Sequence, residues 1–140
     1  MIVVDTNVTS ELMKPAPSPV VVGWVRGHNA TELYTTSITL AEISYGIGRL
    51  PDGRRKDLLA AAAEEVFSAF AEQILAFDTA AAMQYGPIVS HCEGAGAPIE
   101  GFDAQIASIC RAHDATLATR NVKDFRDTGI AVVNPWRDRS

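Results

Sequence analysis

The sequence predicts an α/β fold, with a central, mainly parallel five-stranded sheet flanked by helices. Short apolar runs rich in β-branched residues recur along the chain, and longer stretches with helical spacing separate them. Such alternation is typical of parallel sheets covered by helices. Among the 140 residues 47% are hydrophobic and 21% are charged, which excludes a disordered tail or a polar repeat array. We therefore expect one domain over residues 1–140.

Five apolar segments are predicted to form the strands. The first, Ile2–Val4, stops at an acid, which suits a buried parallel strand. The other four predicted strands are 33–37, 74–77, 116–119 and 131–133. Predicted helices lie between them at 6–13, 20–26, 39–50, 54–71, 79–91 and 101–113. Ser18 before Pro19 and Asp78 before Thr79 are predicted helix N-caps.

Charge and cysteine usage narrow the functional class. A formal net charge of −5 argues against a basic DNA-binding module, but it permits an enzyme that holds a cation. Cys92 and Cys110 form no CxxC pair and lack zinc-site spacing, which indicates reduced thiols in a cytoplasmic protein. The apolar runs are too short to cross a bilayer, and the first residues lack the features of a secretory signal. We expect no membrane partner.

Acidic and amide side chains follow several of the predicted strands. Asp5 ends the first strand, Glu42 lies on the helix after the second, and Asp103 begins a later helix. Asn121 and Asp124 follow the fourth strand. Ligands of open α/β sheets bind beyond the carboxyl ends of the strands, and Mg²⁺ prefers oxygen ligands. Four distant segments are therefore expected to bring oxygen ligands to one edge of the sheet.

Each acid also has a purely structural interpretation. Asp5 could cap the helix that begins at Thr6, and Thr39-x-x-Glu42 matches a capping box. Asp103 could complement the dipole of its helix, and Asp124 could be a surface turn residue. The pattern alone leaves these alternatives open.

The order of the motifs along the chain is more specific than any single one. The chain resembles the PIN-domain ribonucleases, most closely the VapC/FitB-like branch of toxin–antitoxin systems. The resemblance is carried by Val4-Asp5-Thr6-Asn7-Val8-x-Ser10-Glu11, by Ser37-Ile-Thr-Leu-Ala-Glu42-Ile-x-Tyr-Gly46, by Phe102-Asp103-Ala-Gln-Ile-Ala, by Ala118-Thr-Arg-Asn121-Val-Lys-Asp124-Phe125 and by Val133-Asn134-Pro135-Trp136. These blocks span nearly the whole chain.

The resemblance implies a single PIN domain, a three-layer sandwich with an acidic site for Mg²⁺, for which Mn²⁺ could substitute. Asp5 and Asp103 match the principal metal-binding aspartates of the family, and Glu42 matches its second acidic position. Asn121 stands where some relatives have a fourth aspartate, so this chain has one negative charge fewer. Asp124 is expected to share that fourth role. The difference at Asn121 makes tight binding of a second metal ion doubtful.

The activity implied by the resemblance is hydrolysis of RNA phosphodiester bonds by an endoribonuclease. Asp5 and Asp103 would hold the cation, and Glu42 or Asp124 would orient the attacking water or complete the metal shell. The hydroxyls of Thr6 and Thr119, together with Arg120, are expected to position water or phosphate. The catalytic candidates are therefore Asp5, Glu42, Asp103, Asn121 and Asp124. Asn7 is interpreted as a structural residue.

RNA and protein partners are also implied. Basic residues cluster in three places, which are Arg49 with Arg54, Arg55 and Lys56, then Arg120 with Lys123 and Arg126, and finally Arg137 with Arg139. A local basic patch could hold phosphates despite the net acidity. Apolar helical segments around 20–25 and 43–50 carry more apolar residues than a small sheet needs. The resemblance implies a homodimer, a cognate VapB/FitA-like antitoxin inserted near the active site, and a larger assembly with operator DNA.

Two other functions compete with the nuclease. An acid directly after a strand is also found in aspartyl-nucleophile phosphatases, but these need a second acid two residues later, where this chain has Asn7. Alternatively, the chain could be a catalytically weak binding module of the same fold that acts by dimerising or by binding RNA or a partner. Asn121 favours this alternative, and the four retained acids argue against it.

Overall fold

The computed structural model describes residues 1–138, so Arg139 of the predicted basic tail lies outside the described residues. The strands are β1 (Ile2–Val4), β2 (Leu33–Thr36), β3 (Ile74–Leu75), β4 (Thr116–Ala118) and β5 (Val132–Val133). The helices are α1 (Thr6–Leu12), α2 (Pro19–Arg26), α3 (Ser37–Gly48), α4 (Arg54–Phe70), α5 (Thr79–Gly94) and α6 (Gly101–Ala112). Short 3₁₀ helices occupy Ala30–Glu32 and Val122–Phe125.

All pairings in the sheet are parallel, and the strand order is β3-β2-β1-β4-β5. The central strand β1 pairs with both β2 and β4; Ile2 lies opposite Leu33 on one side and Thr116 on the other. Because the strands run in one direction, their carboxyl ends lie at one edge. The segments after β1 and β4 therefore meet there.

Successive strand residues face opposite sides of the sheet and enter two separate cores. Val3 and Leu117 pack with residues of α5 and α6, among them Ile88 and Ile106. On the other face, Val4, Leu33 and Ala118 pack with α1 and α2 through Val8, Val21 and Trp24. The result is helices, sheet and helices in three layers, so the predicted fold class is confirmed.

Helix α4 has no buried residue, unlike the helices of the two cores. Its apolar side faces α3, and Leu58 is 58% exposed. Since burying a leucine side chain stabilises a fold by about 2 kcal/mol, the partly exposed apolar side of α4 is a candidate interaction surface.

The alternative interpretation of Thr39 and Glu42 as a capping box is wrong. Helix α3 begins earlier, at Ser37, and its N-cap is Thr36, whose hydroxyl accepts a 3.1 Å hydrogen bond from the backbone N–H of Thr39. The cap thus lies three residues before the predicted one, which leaves Glu42 free for another partner. At α2, Ser18 holds the predicted N-cap position without a side-chain cap bond. Asp78 caps α5 as predicted, accepting from Ala81 N–H at 3.0 Å.

Cys92 and Cys110 are both buried and free, on α5 and α6 respectively. Burial raises the pKa of both thiols, that of Cys110 to about 12. Among the helices of the described chain, none has the length and apolarity needed to span a membrane.

Candidate functional site

A polar cavity of about 460 Å³ opens at the carboxyl edge of the sheet. Helix α1 and the residues that follow β1, β4 and β5 supply its walls, together with the start of α6 and the first half of α3. Its lining residues are Asp5, Thr6, Asn7, Ser10, Glu11, Lys14, Glu42, Asp103, Arg120, Asn121 and Trp136. The cavity therefore brings together four of the five predicted catalytic positions, Asp5, Glu42, Asp103 and Asn121, from four distant segments.

Asp5 lies at the end of β1 with only 4% of its surface exposed. One carboxylate oxygen, Oδ1, accepts from Thr6 N–H at 2.8 Å and so caps α1. The other, Oδ2, accepts from the Thr119 hydroxyl at 2.7 Å. Burial raises the pKa of Asp5 and outweighs these two hydrogen bonds, which lower it. The Asp5 side chain therefore both caps α1 and lines the cavity.

Thr119 and Asn7 fix the loop after β4 against the start of α1. The Thr119 side chain is fully buried, and its hydroxyl oxygen also accepts from Asn7 Nδ2 and from Asn121 N–H, both at 3.1 Å. The Asn7 Oδ1 atom accepts from Arg120 N–H at 3.2 Å. In this arrangement Thr119 orients the Asp5 carboxylate, and Asn7 has the structural role expected of it.

Glu42 accepts a hydrogen bond from the Thr6 hydroxyl at its Oε1 atom, at 2.8 Å. The Thr6 oxygen lies 3.0 Å from the hydroxyl oxygen of Thr39, which connects α1 with α3. Burial is the main cause that raises the pKa of Glu42; the charges of Asp5 and Glu100 add to it, and the Thr6 bond opposes it. Thr6 therefore orients an acidic side chain while it lines the cavity.

Asp103 lies in the first turn of α6, partly buried. The helix is capped by Glu100, whose carboxylate accepts from the N–H groups of Phe102 and Asp103, both at 3.1 Å. Burial raises the pKa of Asp103 to about 7, and the like charges of Asp5, Glu100, Asp124 and Glu42 contribute. A carboxyl group in a cleft whose pKa is raised by burial and like charges is a candidate functional group.

Asn121 and Asp124 occupy different places. Asn121 lines the cavity. Asp124 is exposed on the 3₁₀ helix after β4 and is not among the lining residues, although its charge raises the pKa of Asp5 and Asp103. Asn121 therefore lines the cavity, whereas Asp124 lies outside its wall and acts on Asp5 and Asp103 through its charge.

Two basic residues and an indole complete the walls. Lys14 forms a 2.9 Å ion pair with the buried carboxylate of Glu11, which lowers the pKa of Glu11. The guanidinium carbon of Arg120 lies 4.9 Å from the ring centroid of Trp136. Sequence reasoning missed Glu11, Lys14, Glu100 and Trp136 as site residues. Glu11 and Trp136 stand in two of the quoted motifs, which was the only available signal.

The donor set suits a hard divalent cation. Asp5, Glu42 and Asp103 offer carboxylate oxygens, and Asn121 offers an amide oxygen. All four residues line one cavity, which is wide enough for an ion and its waters. Within residues 1–138, no three acidic, histidine or cysteine side chains stand close enough to hold an ion as they are arranged. Burial is the main cause that raises the pKa of each of the three acids, and repulsion between like charges adds to it. A cation would relieve that repulsion.

Comparison with known proteins identifies the family. The PIN domain family matches residues 2–131. The chain is 36% identical over 137 residues to the VapC ribonuclease Y4jK of Sinorhizobium fredii, covering 97% of this chain and 98% of that protein. It is 37% identical over 139 residues to toxin FitB of Neisseria gonorrhoeae, covering 99% and 100% of the two chains.

A solved structure of FitAB bound to an IR36 DNA fragment contains a chain that matches this fold with a TM-score of 0.92. The sequence identity is 35%, and the match covers 100% of this chain and 99% of that one. This protein belongs to the PIN-domain family, so the resemblance predicted from its motifs is confirmed.

Proposed function

We propose that this protein is a metal-dependent endoribonuclease, the toxin component of a VapBC-type toxin–antitoxin system. One observation carries the proposal: Asp5, Glu42 and Asp103 come from three distant segments to line one cavity, and the pKa of each is raised. The names of the relatives support it, since one is a VapC ribonuclease and another a FitB toxin.

In this proposal Asp5, Asp103 and Glu42 hold Mg²⁺, and Mn²⁺ can replace it. The bound ion would lower the pKa of an attacking water and offset charge on the phosphoryl oxygens. Hydrogen bonds within the protein orient these carboxylates. Thr119 and the N–H of Thr6 fix the two oxygens of Asp5, and the Thr6 hydroxyl fixes Glu42. Asn121, which lines the same cavity, would offer its amide oxygen to the ion or its waters.

In this proposal Glu42 also orients the attacking water. It is held from one side by Thr6, and its second oxygen has no hydrogen-bond partner within the described chain. Because its pKa is raised, the carboxylate is a better proton acceptor than a solvated glutamate. Asp124, exposed at the rim, would contribute through its negative charge.

The antitoxin is proposed to occupy an apolar groove of about 1150 Å³ beside the cavity. Helices α3 and α4 and the end of α1 form it, with Met13, Ile47, Leu50, Leu58 and Leu59 among its lining residues. Glu42 and Lys14 line both the groove and the cavity, so a segment in the groove would reach the acidic site. A basic residue on that segment would then pair with the carboxylates in place of the metal.

Two further assemblies belong to the proposal. A homodimer would cover exposed apolar residues such as Val20, which is 59% exposed on α2. Binding of the toxin–antitoxin complex to operator DNA is supported by the FitAB–DNA structure. A cytoplasmic location fits the two free cysteines.

The test is cleavage of a structured RNA pool by the purified protein without its antitoxin, in Mg²⁺, Mn²⁺ or chelator. We expect cleavage only with a metal ion, and a loss of at least ~100-fold in the double variant Asp5→Asn, Asp103→Asn. Asp57→Asn is the matched control, because Asp57 is an exposed aspartate on α4 outside the cavity. A folded wild-type protein that binds RNA and metal but cleaves nothing would support the binding-module alternative instead.

A further inference from the structure

Arg120 and Trp136 form a stacked pair on the wall of the acidic cavity. The guanidinium carbon lies 4.9 Å from the centre of the indole ring, within the range of a cation–π contact. Both residues line the cavity that also contains Asp5, Glu42 and Asp103. The two partners follow the neighbouring strands β4 and β5, so the sheet itself brings them together.

Both partners are held by the backbone around them. Asn7 accepts from the N–H of Arg120 at 3.2 Å, which fixes the start of that side chain. On the other side, Asn134 Oδ1 accepts from the N–H of Trp136 at 2.9 Å, and Asn134 N–H donates to Asp138 at 2.7 Å. The indole also packs against the core beneath α1 and α2. The ring is thus a fixed surface under the guanidinium.

Within residues 1–138, the Arg120 guanidinium makes no ion pair, although it lines a cavity rich in carboxylates. The other cation of the cavity, Lys14, is already paired with Glu11. An indole covers one face of a guanidinium but leaves the N–H groups at its edge available. This edge matches the two oxygens of a phosphodiester, to which arginine binds in a bidentate manner.

We propose that Arg120 binds a phosphate of the RNA strand at the mouth of the cavity, and that Trp136 is the positioning residue that presents it. This inference rests on the proposed function, because its ligand is RNA. The stack holds the guanidinium over the indole ring. A lysine at position 120 would keep the positive charge, but it would lose the stacking of a planar guanidinium on Trp136 and the bidentate hydrogen bonding to phosphate.

The test is binding of a labelled single-stranded RNA in chelator, where cleavage does not occur, measured over a series of salt concentrations. We expect Arg120→Ala to weaken binding about tenfold and to reduce the slope of log K against log salt by about 0.7, the value of one phosphate contact. Arg111→Ala, which removes an exposed arginine at the opposite end of α6, is the matched control and should leave the slope nearly unchanged.

The positioning role of Trp136 is tested by a double-mutant cycle. Trp136→Ala should weaken binding in the wild-type background and add almost nothing in the Arg120→Ala background. Trp136→Phe should retain most of the affinity, which also covers the case in which the alanine variant fails to fold. Arg120→Lys should keep the salt slope, bind more weakly than wild type and lose its dependence on Trp136.

Three outcomes would overturn the inference. The first is an unchanged salt slope in Arg120→Ala. The second is an equal effect of Trp136→Ala in both backgrounds, which would mean that the indole binds RNA directly. The third is an absence of RNA binding by the wild-type protein. The proposed function is judged separately by metal-dependent cleavage. If the wild-type protein cleaves RNA but Arg120→Ala keeps the wild-type salt slope of binding, only this inference is contradicted. If RNA binding depends on Arg120 but no RNA is cleaved, only the proposed nuclease activity is contradicted.

Discussion

The hydroxyl of Thr119 donates a 2.7 Å hydrogen bond to Oδ2 of Asp5, across 114 positions of the chain. The two residues directly follow the neighbouring strands β4 and β1, whose parallel pairing places Val4 opposite Ala118. Both are buried, so the bond is shielded from water. The bond therefore fixes the orientation of the Asp5 carboxylate, which is a principal ligand of the proposed metal site.

Replacing Thr119 with valine should therefore impair the site more than the fold. Thr119→Val keeps the shape but removes the donor to Asp5 and the acceptor for Asn7 and Asn121. We expect a loss of about 10- to 100-fold in metal affinity or cleavage and of about 1–3 kcal/mol in the free energy of unfolding. Metal titration by calorimetry and denaturant unfolding measure the two effects.

Thr128→Val is the control for this variant. Thr128 is also buried, and within residues 1–138 its hydroxyl donates only to the Phe125 carbonyl. It should cost about 1 kcal/mol in stability and leave metal binding intact. Equal losses of metal affinity in both variants would show that the Thr119 bond has no special role.

The hydroxyl of Thr6 gives a second prediction, because it is the described donor to Glu42. Thr6→Val removes this bond and should raise the pKa of Glu42 further and weaken metal binding about tenfold. Thr6→Ser keeps the hydroxyl and should stay close to wild type. If the serine and valine variants bind metal equally, the bond does not orient Glu42 for the metal.

The metal-free protein should become less stable as the pH rises toward neutrality. The native pKa of Asp103 is about 7 against an ordinary value of 3.8, because of burial and the charges of Asp5, Glu100, Asp124 and Glu42. Between these two values the native state binds more protons than the unfolded state. This contribution to stability is therefore complete below about pH 4 and is lost as the pH rises through about 7.

Thermal unfolding in chelator measures this dependence. We expect Tm to fall between about pH 5 and about pH 8, to fall less in Asp103→Asn, and to recover when Mg²⁺ is added at the upper end. Glu11 acts in the opposite direction, since Lys14 lowers its pKa, but its contribution is lost only as the pH falls below its ordinary value of 4.5. A Tm that rises through the neutral range in the metal-free protein would contradict the prediction.

Asn121→Asp should have opposite effects with and without metal. Asn121 lines the cavity, so a carboxylate there adds a fourth negative charge to the site. We expect Mg²⁺ to bind about three- to tenfold more tightly, and the metal-free protein to lose stability at neutral pH through repulsion. Calorimetric titration and Tm in chelator give the two readings. An unchanged affinity for Mg²⁺ would place residue 121 outside the metal shell.

Much of the fold was predictable because its signals are local. The apolar run Ile2–Val4, the cap at Asp78 and the proline after Ser18 each specify an element within a few residues. The cap of α3 was not predicted correctly. Thr36 and Thr39 are both good N-cap residues, and the choice between them depends on where β2 ends, which its pairing with β1 and β3 decides.

The sequence by itself determined the class of the fold, the family and the identity of the acids, because strand periodicity, capping residues and ordered motifs are all encoded locally. The tertiary structure decided which side chains act together. It brought Thr119 to Asp5, Thr6 to Glu42 and Trp136 to Arg120, and it left Asp124 outside the cavity wall. These relationships arise from parallel strand pairing between distant segments, which fixes side-chain positions that no local spacing in the sequence records.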